Sequence, residues 1–74
     1  MAKLPRKISG KDLLRVFRKL GFEVVRQRSS HAFLRHRDGR RLTIPLYNIV
    51  PVNLLNWILA EAKVSREEFL RLLK

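Results

Sequence analysis

Apolar residues near the start of the chain recur at the spacing of an amphipathic helix. The recurring positions are Leu13, Val16, Phe17 and Leu20. Ser9 precedes them as a helix cap, and Asp12 at the third helical position completes a capping box with it. Gly21 follows at the place where a left-handed residue ends a helix. The pattern therefore predicts a helix over residues 10–20.

The middle of the chain is rich in β-branched and aromatic residues, which favour strands. Residues 22–28 predict one strand, and a break at residues 29–30 separates it from a second strand that begins at His31. Val24 and Val25 are adjacent in the first strand. Because neighbouring side chains of a strand point to opposite faces, both valines can face the core only if the strand contains a bulge.

The second and third strands meet at a turn, and two loop lengths fit it. A loop of residues 38–39 would pair Arg37 with Arg40 and mix charged and apolar side chains on one face. A loop of residues 37–39, with its glycine left-handed, would pair His36 with Arg40 instead. The side chains would then divide into an apolar face of Ala32, Leu34, Leu42 and Ile44 and an open face of His31, Phe33, Arg35, Arg41 and Thr43. Since the sheet of a small domain buries one face and leaves the other in solvent, we expect the longer loop.

Helical spacing returns after Pro51, which suits the first turn of a helix. The buried stripe of this helix is predicted to be Leu54, Leu55, Ile58, Leu59 and Ala62. Trp57 points roughly to the opposite side, where it either forms a partner surface or covers another element. A capping box at residues 65–68 opens a short last helix. Together the elements predict a single α+β domain over residues 1–74, with a three-stranded antiparallel sheet, helices on one face, and a short extra C-terminal helix.

The net charge is +11, from 17 Lys and Arg against 6 Asp and Glu. So large an excess in a short chain indicates a polyanionic partner, although charge also keeps small proteins soluble. One basic group lies near the first helix, whose outer side is expected to offer Arg15, Arg18 and Lys19 to phosphates. The other group, on the hairpin, consists of Arg26, Arg28, Arg35, Arg37, Arg40 and Arg41. Arginine suits bidentate contacts with phosphate.

The composition argues against several classes of function. The chain has no cysteine, so it has neither a disulfide framework nor a thiolate metal site, and we expect it in the cytoplasm. Its two histidines and six acids show no metal-ligand spacing, so we expect chemistry without a metal or other cofactor. Residues 1–7 lack the apolar stretch of a signal peptide, and prolines and asparagines interrupt the uncharged stretch 42–60. No membrane partner is therefore expected.

Several short segments follow one another in the order and spacing of a known family. They are residues 9–11, 20–22, 26–31, 38–40, 43–45 and 58–62, followed by Phe69. In these segments the chain resembles the HicA family of toxin–antitoxin systems. The resemblance implies a double-stranded-RNA-binding-like fold, an endoribonuclease activity on mRNA, and neutralisation by a HicB antitoxin protein. It also aligns His31 with the catalytic histidine of the family's Gly-Ser-His motif.

Four positions depart from the family pattern. Ser29 replaces the glycine of that motif, and Tyr47 stands where the pattern Ile-Pro-x-His has a second histidine. Asn53 and Lys63 replace glycines near the ends of the second helix. If position 63 needs a left-handed backbone, the lysine costs about 1 kcal/mol there. These departures leave two interpretations open, an active family member and a weak or inactive one.

RNA carries its own nucleophile, the 2′-hydroxyl, so its cleavage requires a proton acceptor, a proton donor and positive charge near the phosphate. Histidine exchanges protons at cellular pH, and we hypothesise that His31 is the general base or acid. Arg28, Arg35 and Arg41 are expected to hold the phosphate and stabilise its developing charge. Phe33 is expected to stack on a base.

The remaining predicted site residues have less defined roles. Arg26 is expected to bind RNA, and Ser30 either orients the imidazole or the phosphate, or only caps the turn. His36 has the opposite parity on its strand and is expected to be structural. Two alternatives to an enzyme stay open: a non-catalytic RNA-binding module of the same fold, and an interaction subunit that binds an acidic protein through the same basic face.

Overall fold

The computed structural model describes residues 3–73. Its elements are α1 (Gly10–Lys19), β1 (Phe22–Arg28), β2 (His31–His36), β3 (Arg41–Pro45), α2 (Val52–Ala62) and α3 (Arg66–Leu73). The strands form one antiparallel sheet in the order β1-β2-β3. This confirms the predicted α+β fold and its element order. None of the helices in residues 3–73 has the length and apolar character needed to cross a membrane.

The helices cover one face of the sheet. α1 packs against β1 and β3, α2 packs against β3, and α3 packs against α1. The sheet residues that were predicted to face the core are buried, namely Ala32, Leu34, Leu42 and Ile44. They meet Phe17 and Phe69 from the helices, which are also fully buried. Burying a side chain of this size contributes about 2 kcal/mol, so the apolar stripes decide which face of each element points inward.

α1 has the predicted capping box. The Asp12 N–H donates to Ser9 Oγ, and the Ser9 N–H donates to Asp12 Oδ2, each at 3.1 Å. The Ser9 N–H holds the pKa of Asp12 below its ordinary value of 3.8. The helix ends one residue earlier than predicted, with Leu20 as its C-cap, and Gly21 follows at a φ of 97°.

The strand pairing decides two features that the sequence left open, the bulge in β1 and the length of the β2–β3 loop. The register of β1 on β2 shifts between Val24 and Arg26, so Val25 is the extra residue of a bulge and is 60% exposed. In the β2–β3 turn the His36 N–H donates to the Arg40 carbonyl at 2.9 Å. This pairing confirms the three-residue loop, and with it the separation of an apolar face from an open one.

Within residues 3–73, two residues other than glycine adopt the left-handed backbone. Ser29 begins the β1–β2 turn with a φ of 51°, and Lys63 ends α2 with a φ of 57° and a ψ of 44°. Both stand at positions where the family pattern has glycine. Since a side chain in this region costs about 1–2 kcal/mol, these two positions carry backbone strain.

At the start of α3, one of the two hydrogen bonds of the predicted capping box is present. The Glu68 N–H donates to Ser65 Oγ at 3.1 Å, as the predicted capping box requires. Among the hydrogen bonds of residues 3–73, the Glu68 carboxylate makes none to Ser65, and it lies 3.9 Å from the Arg71 guanidinium instead. The capping box at the start of α3 is therefore half formed.

Candidate functional site

The face of the sheet opposite the helices carries three rows of side chains that run across the strands. The rows are Arg28–His31–Pro45, Arg26–Phe33–Thr43 and Glu23–Arg35–Arg41. We call this surface the open face. It carries four arginines and one glutamate, and within residues 3–73 none of these arginines forms an ion pair. The open face is therefore strongly positive, and its cations are available to a ligand.

His31 lies at the start of β2 on the open face. Its side chain is half-buried, and its cross-strand neighbours are Arg28 on β1 and Pro45 on β3. The next residue, Ala32, is fully buried on the helix side of the sheet. The alternation of the strand thus directs the imidazole away from the core, as the sequence pattern predicted.

Tyr47 is the aromatic neighbour of His31. The two ring centroids are 6.3 Å apart, and the ring planes are inclined by 72°. Sequence reasoning considered Tyr47 only as a replacement for a histidine and missed this contact. The predicted register of β2 on β3 contains the signal for it, because His31 pairs with Pro45, two residues before Tyr47.

Two backbone hydrogen bonds hold that loop in place. The Leu46 N–H donates to the Ser30 carbonyl at 2.6 Å, and the Gly10 N–H donates to the Tyr47 carbonyl at 2.9 Å. A Cβ at Gly10 would lie 2.3 Å from the Pro45 carbonyl oxygen, so only glycine allows α1 to start so close to this loop. The position of Tyr47 beside His31 therefore depends on the N-terminus of α1 as well as on the sheet.

The predicted phosphate ligands are divided along the strand. Arg28 lies directly across from His31. Arg35 and Arg41 pair with each other four residues farther along β2, which is about 13 Å at the usual rise of a strand. The structure therefore places Arg28 next to His31 and places Arg35 and Arg41 apart from it.

The remaining predicted RNA-binding residues are Arg26, Phe33 and Ser30. Arg26 and Phe33 are cross-strand partners in the row between His31 and Arg35, and the Phe33 side chain is half-buried. Ser30 is exposed in the β1–β2 turn. Its carbonyl accepts the Leu46 N–H, and its hydroxyl makes no hydrogen bond within residues 3–73. The hydroxyl therefore does not cap the turn.

His36 is a structural histidine, as its strand parity predicted. Its Nε2–H donates to the Leu20 carbonyl at 3.0 Å, and its Nδ1 accepts the Asp38 N–H at 3.1 Å. The ring packs edge-on against Phe22, with the ring centroids 5.0 Å apart. Nδ1 also lies 3.0 Å from Asp38 Oδ1, so the ring has polar neighbours at both nitrogens. The side chain joins the end of α1 to the β2–β3 turn and does not reach the open face.

Arg40 was counted among the arginines that suit phosphate binding, and its contacts correct that interpretation. Its Nε donates to Asp38 Oδ2 at 2.8 Å, its guanidinium donates to the Ala62 carbonyl at the end of α2, and it lies 5.1 Å from the Phe22 ring centroid. The backbone N–H of Arg40 and its guanidinium hold the pKa of Asp38 below the ordinary value of 3.8. Arg40 is engaged within the protein.

Two basic residues of α1 are engaged in the same way. Lys19 Nζ donates to the Leu72 carbonyl at 3.0 Å, and the Arg15 guanidinium lies 3.5 Å from the Leu73 carbonyl and 3.4 Å from Asp12. Both side chains donate hydrogen bonds to carbonyls at the C-terminus of α3, which have no partner inside their own helix. Both side chains are nevertheless exposed, so their availability to phosphates stays a prediction.

The comparisons with known proteins point to one family. A family model described as HicA toxin of bacterial toxin-antitoxin matches residues 10–64, and a search of curated proteins gave no significant match. The matched range covers α1, the whole sheet and α2, so it includes His31, the open face and Tyr47. Membership of a toxin–antitoxin family implies an antitoxin as a partner. The chain belongs to the HicA toxin family, and it is a toxin of a bacterial toxin–antitoxin system.

Proposed function

We propose that this toxin is an endoribonuclease that cleaves mRNA, with His31 as the general base or acid, and that a HicB-like antitoxin neutralises it. The observation that supports the proposal best is the position of His31 on the open face, directly across from Arg28. An imidazole that moves a proton and a guanidinium that binds phosphate are two of the groups that RNA cleavage uses.

The proposed reaction uses the RNA as its own nucleophile. The 2′-oxygen bonds to the neighbouring phosphorus, and the bond from phosphorus to the 5′-oxygen of the next nucleotide breaks. His31 takes the proton of the 2′-hydroxyl or gives one to the leaving 5′-oxygen, and a water molecule donates or accepts the other proton. Arg28 offsets the charge that develops on the phosphoryl oxygens. The products are a 2′,3′-cyclic phosphate and a 5′-hydroxyl, and the step includes no role for a metal ion.

The test compares the wild type with His31→Gln on a defined mRNA in the presence of EDTA. Glutamine keeps the approximate size of the side chain and its capacity for hydrogen bonds, but it does not exchange protons at neutral pH. We expect the wild type to leave cyclic phosphate ends, and we expect the variant to bind the RNA without cutting it. Far-UV circular dichroism and the melting temperature should agree between the two proteins.

A non-catalytic RNA-binding module is the second candidate. It is favoured by the single histidine on the open face, since His36 is engaged at the other end of β2 and Tyr47 stands where the family pattern has a histidine. RNA cleavage usually involves one group that accepts the proton of the 2′-hydroxyl and a second group that donates a proton to the leaving 5′-oxygen. RNA binding by the wild type without cleavage would favour this candidate, and cleavage by His31→Gln at the wild-type rate would remove His31 from the mechanism.

A further inference from the structure

The open face continues into a groove at the β3 edge of the sheet. The groove encloses about 550 Å³. Residues from all three strands and from α2 line it, among them Val25, Arg26, Phe33, Arg35, Arg41 and Trp57. The groove is thus lined by three guanidinium groups, one aromatic ring on the sheet and another on a helix.

Trp57 is the most exposed of the large apolar side chains in residues 3–73, with 62% of its surface accessible. It lies on the side of α2 opposite the buried stripe, whose residues include Leu55, Ile58 and Leu59. The sequence left two interpretations of this residue open, a cover for another element and a partner surface. Such high exposure leaves little contact with any other element, so the first interpretation is wrong.

Unpaired arginines beside solvent-accessible aromatic rings are a combination that binds single-stranded nucleic acid. Guanidinium groups hold the phosphates, and the rings stack on bases whose faces are free. A duplex cannot use the rings in this way, because its bases are already stacked on one another. An acidic peptide would meet the same arginines, but its carboxylates would also approach Glu61, which lines the groove.

The groove is continuous with the proposed catalytic row. Phe33 follows His31 on the same face of β2, about 7 Å away, and its row leads across Thr43 toward the β3 edge. That distance is comparable to the step between phosphates of an extended strand. An RNA with one phosphate between His31 and Arg28 can therefore place its neighbouring nucleotides over Phe33 and Trp57.

We propose that Trp57 forms a stacking subsite for an unpaired base of single-stranded RNA, whose flanking phosphates are bound by Arg26, Arg35 and Arg41. The proposal rests on the proposed function, which supplies RNA as the substrate, and it adds that the substrate is unpaired on one side of the scissile bond. Discrimination against duplex RNA follows from the groove and needs no contact with base edges.

The chain contains a single tryptophan, so its fluorescence reports on this subsite directly. The experiment uses His31→Gln to prevent cleavage and titrates it with oligoadenylate, with a blunt RNA duplex of equal length, and with polyglutamate. Fluorescence anisotropy of labelled ligands gives the affinities independently. We expect only the single strand to quench the tryptophan emission.

Two further variants carry the test. Trp57→Ala should weaken the affinity for the single strand about tenfold, which is the usual effect of losing one stacked base, and should leave the duplex affinity unchanged. Ile49→Ala is the matched control, because Ile49 is 56% exposed and lies outside the groove. It should change neither affinity. Trp57→Phe keeps a ring and should recover part of the loss.

The proposal is overturned if oligoadenylate fails to bind, if it binds without changing the emission, if the duplex or polyglutamate quenches equally, or if Ile49→Ala loses as much affinity as Trp57→Ala. Its failure is distinguishable from failure of the proposed function. If the single strand quenches the emission but the wild type never cuts RNA, the subsite is supported and the nuclease activity is excluded. If cleavage depends on His31 but the Trp57 fluorescence does not change, the nuclease activity is supported and the subsite is excluded.

Discussion

The imidazole of His31 meets the ring of Tyr47 edge to face, with 6.3 Å between the ring centroids. An aromatic pair of this geometry contributes about 1 kcal/mol, and here it restricts the rotation of an otherwise solvent-facing side chain. Tyr47 is therefore expected to position the proposed catalytic group. The expectation follows from the ring of Tyr47 and does not depend on its hydroxyl.

Two replacements of Tyr47 distinguish the role of its ring from the role of its hydroxyl. We expect Tyr47→Ala to lower the kcat of RNA cleavage about fivefold, which corresponds to the loss of about 1 kcal/mol, with little change in KM. Tyr47→Phe keeps the ring and should remain near the wild type. If phenylalanine is as damaging as alanine, the hydroxyl acts on the RNA and the positioning role is wrong.

Arg28 and Arg35 should differ in kinetics, because they lie at different distances from His31 along the strands. Arg28→Ala is expected to lower kcat about 10²-fold through the loss of charge stabilisation in the transition state. Arg35→Ala should raise KM and leave kcat unchanged. Each variant should also reduce the salt dependence of binding by about 0.7 in the logarithmic slope, which anisotropy titrations at several salt concentrations measure. Equal effects of both variants on kcat would contradict the assignment.

Lys63 carries strain that glycine would remove, since its φ is 57°. We expect Lys63→Gly to raise the free energy of unfolding by about 1 kcal/mol, as measured by urea denaturation. Ala60→Gly is the control, because Ala60 is exposed inside the same helix and should lose about 1 kcal/mol. Opposite signs for these two glycines would establish that backbone conformation, and not glycine itself, causes the change. A loss of stability in both variants would contradict the prediction.

Arg40 and Arg37 lie close together in one turn but should contribute very differently to stability. Arg40 bonds to Asp38 and to the end of α2, whereas Arg37 is exposed. Arg40→Ala is expected to lower the free energy of unfolding by about 1–2 kcal/mol, because it leaves a helix-end carbonyl without its partner. Arg37→Ala should stay within about 0.5 kcal/mol of the wild type. Thermal unfolding of both variants provides the measurement.

The capping box of α1 predicts a dependence of stability on acid. The pKa of Asp12 is lowered on folding, chiefly by the Ser9 N–H, so its charge stabilises the folded state above its ordinary value of 3.8. That contribution is lost as the pH falls through the lowered value. Asp12→Asn should therefore be less stable than the wild type near pH 6, and the difference should shrink as the pH approaches 2. A difference that widens in acid would reverse the sign and exclude this linkage.

The sequence by itself determined the elements and the faces they bury. Helical spacing defined α1 and α2, and strict alternation along β2 and β3 required the three-residue loop, since the shorter loop would have placed arginines in the core. The same alternation placed His31 on the open face and His36 away from it. These features follow from local periodicity, because burying a continuous apolar stripe outweighs the other choices open to a short segment.

Only the tertiary structure decided which basic side chains are available and which aromatic rings adjoin the site. Arg40 and Lys19 donate to carbonyls at the ends of α2 and α3, contacts that the local sequence pattern does not indicate. Tyr47 and Trp57 approach the open face through a loop and a helix that lie far from His31 in the sequence. Long cationic side chains can choose among many partners at similar cost, so the packing of distant segments, and not the local pattern, selects the partner that each one takes.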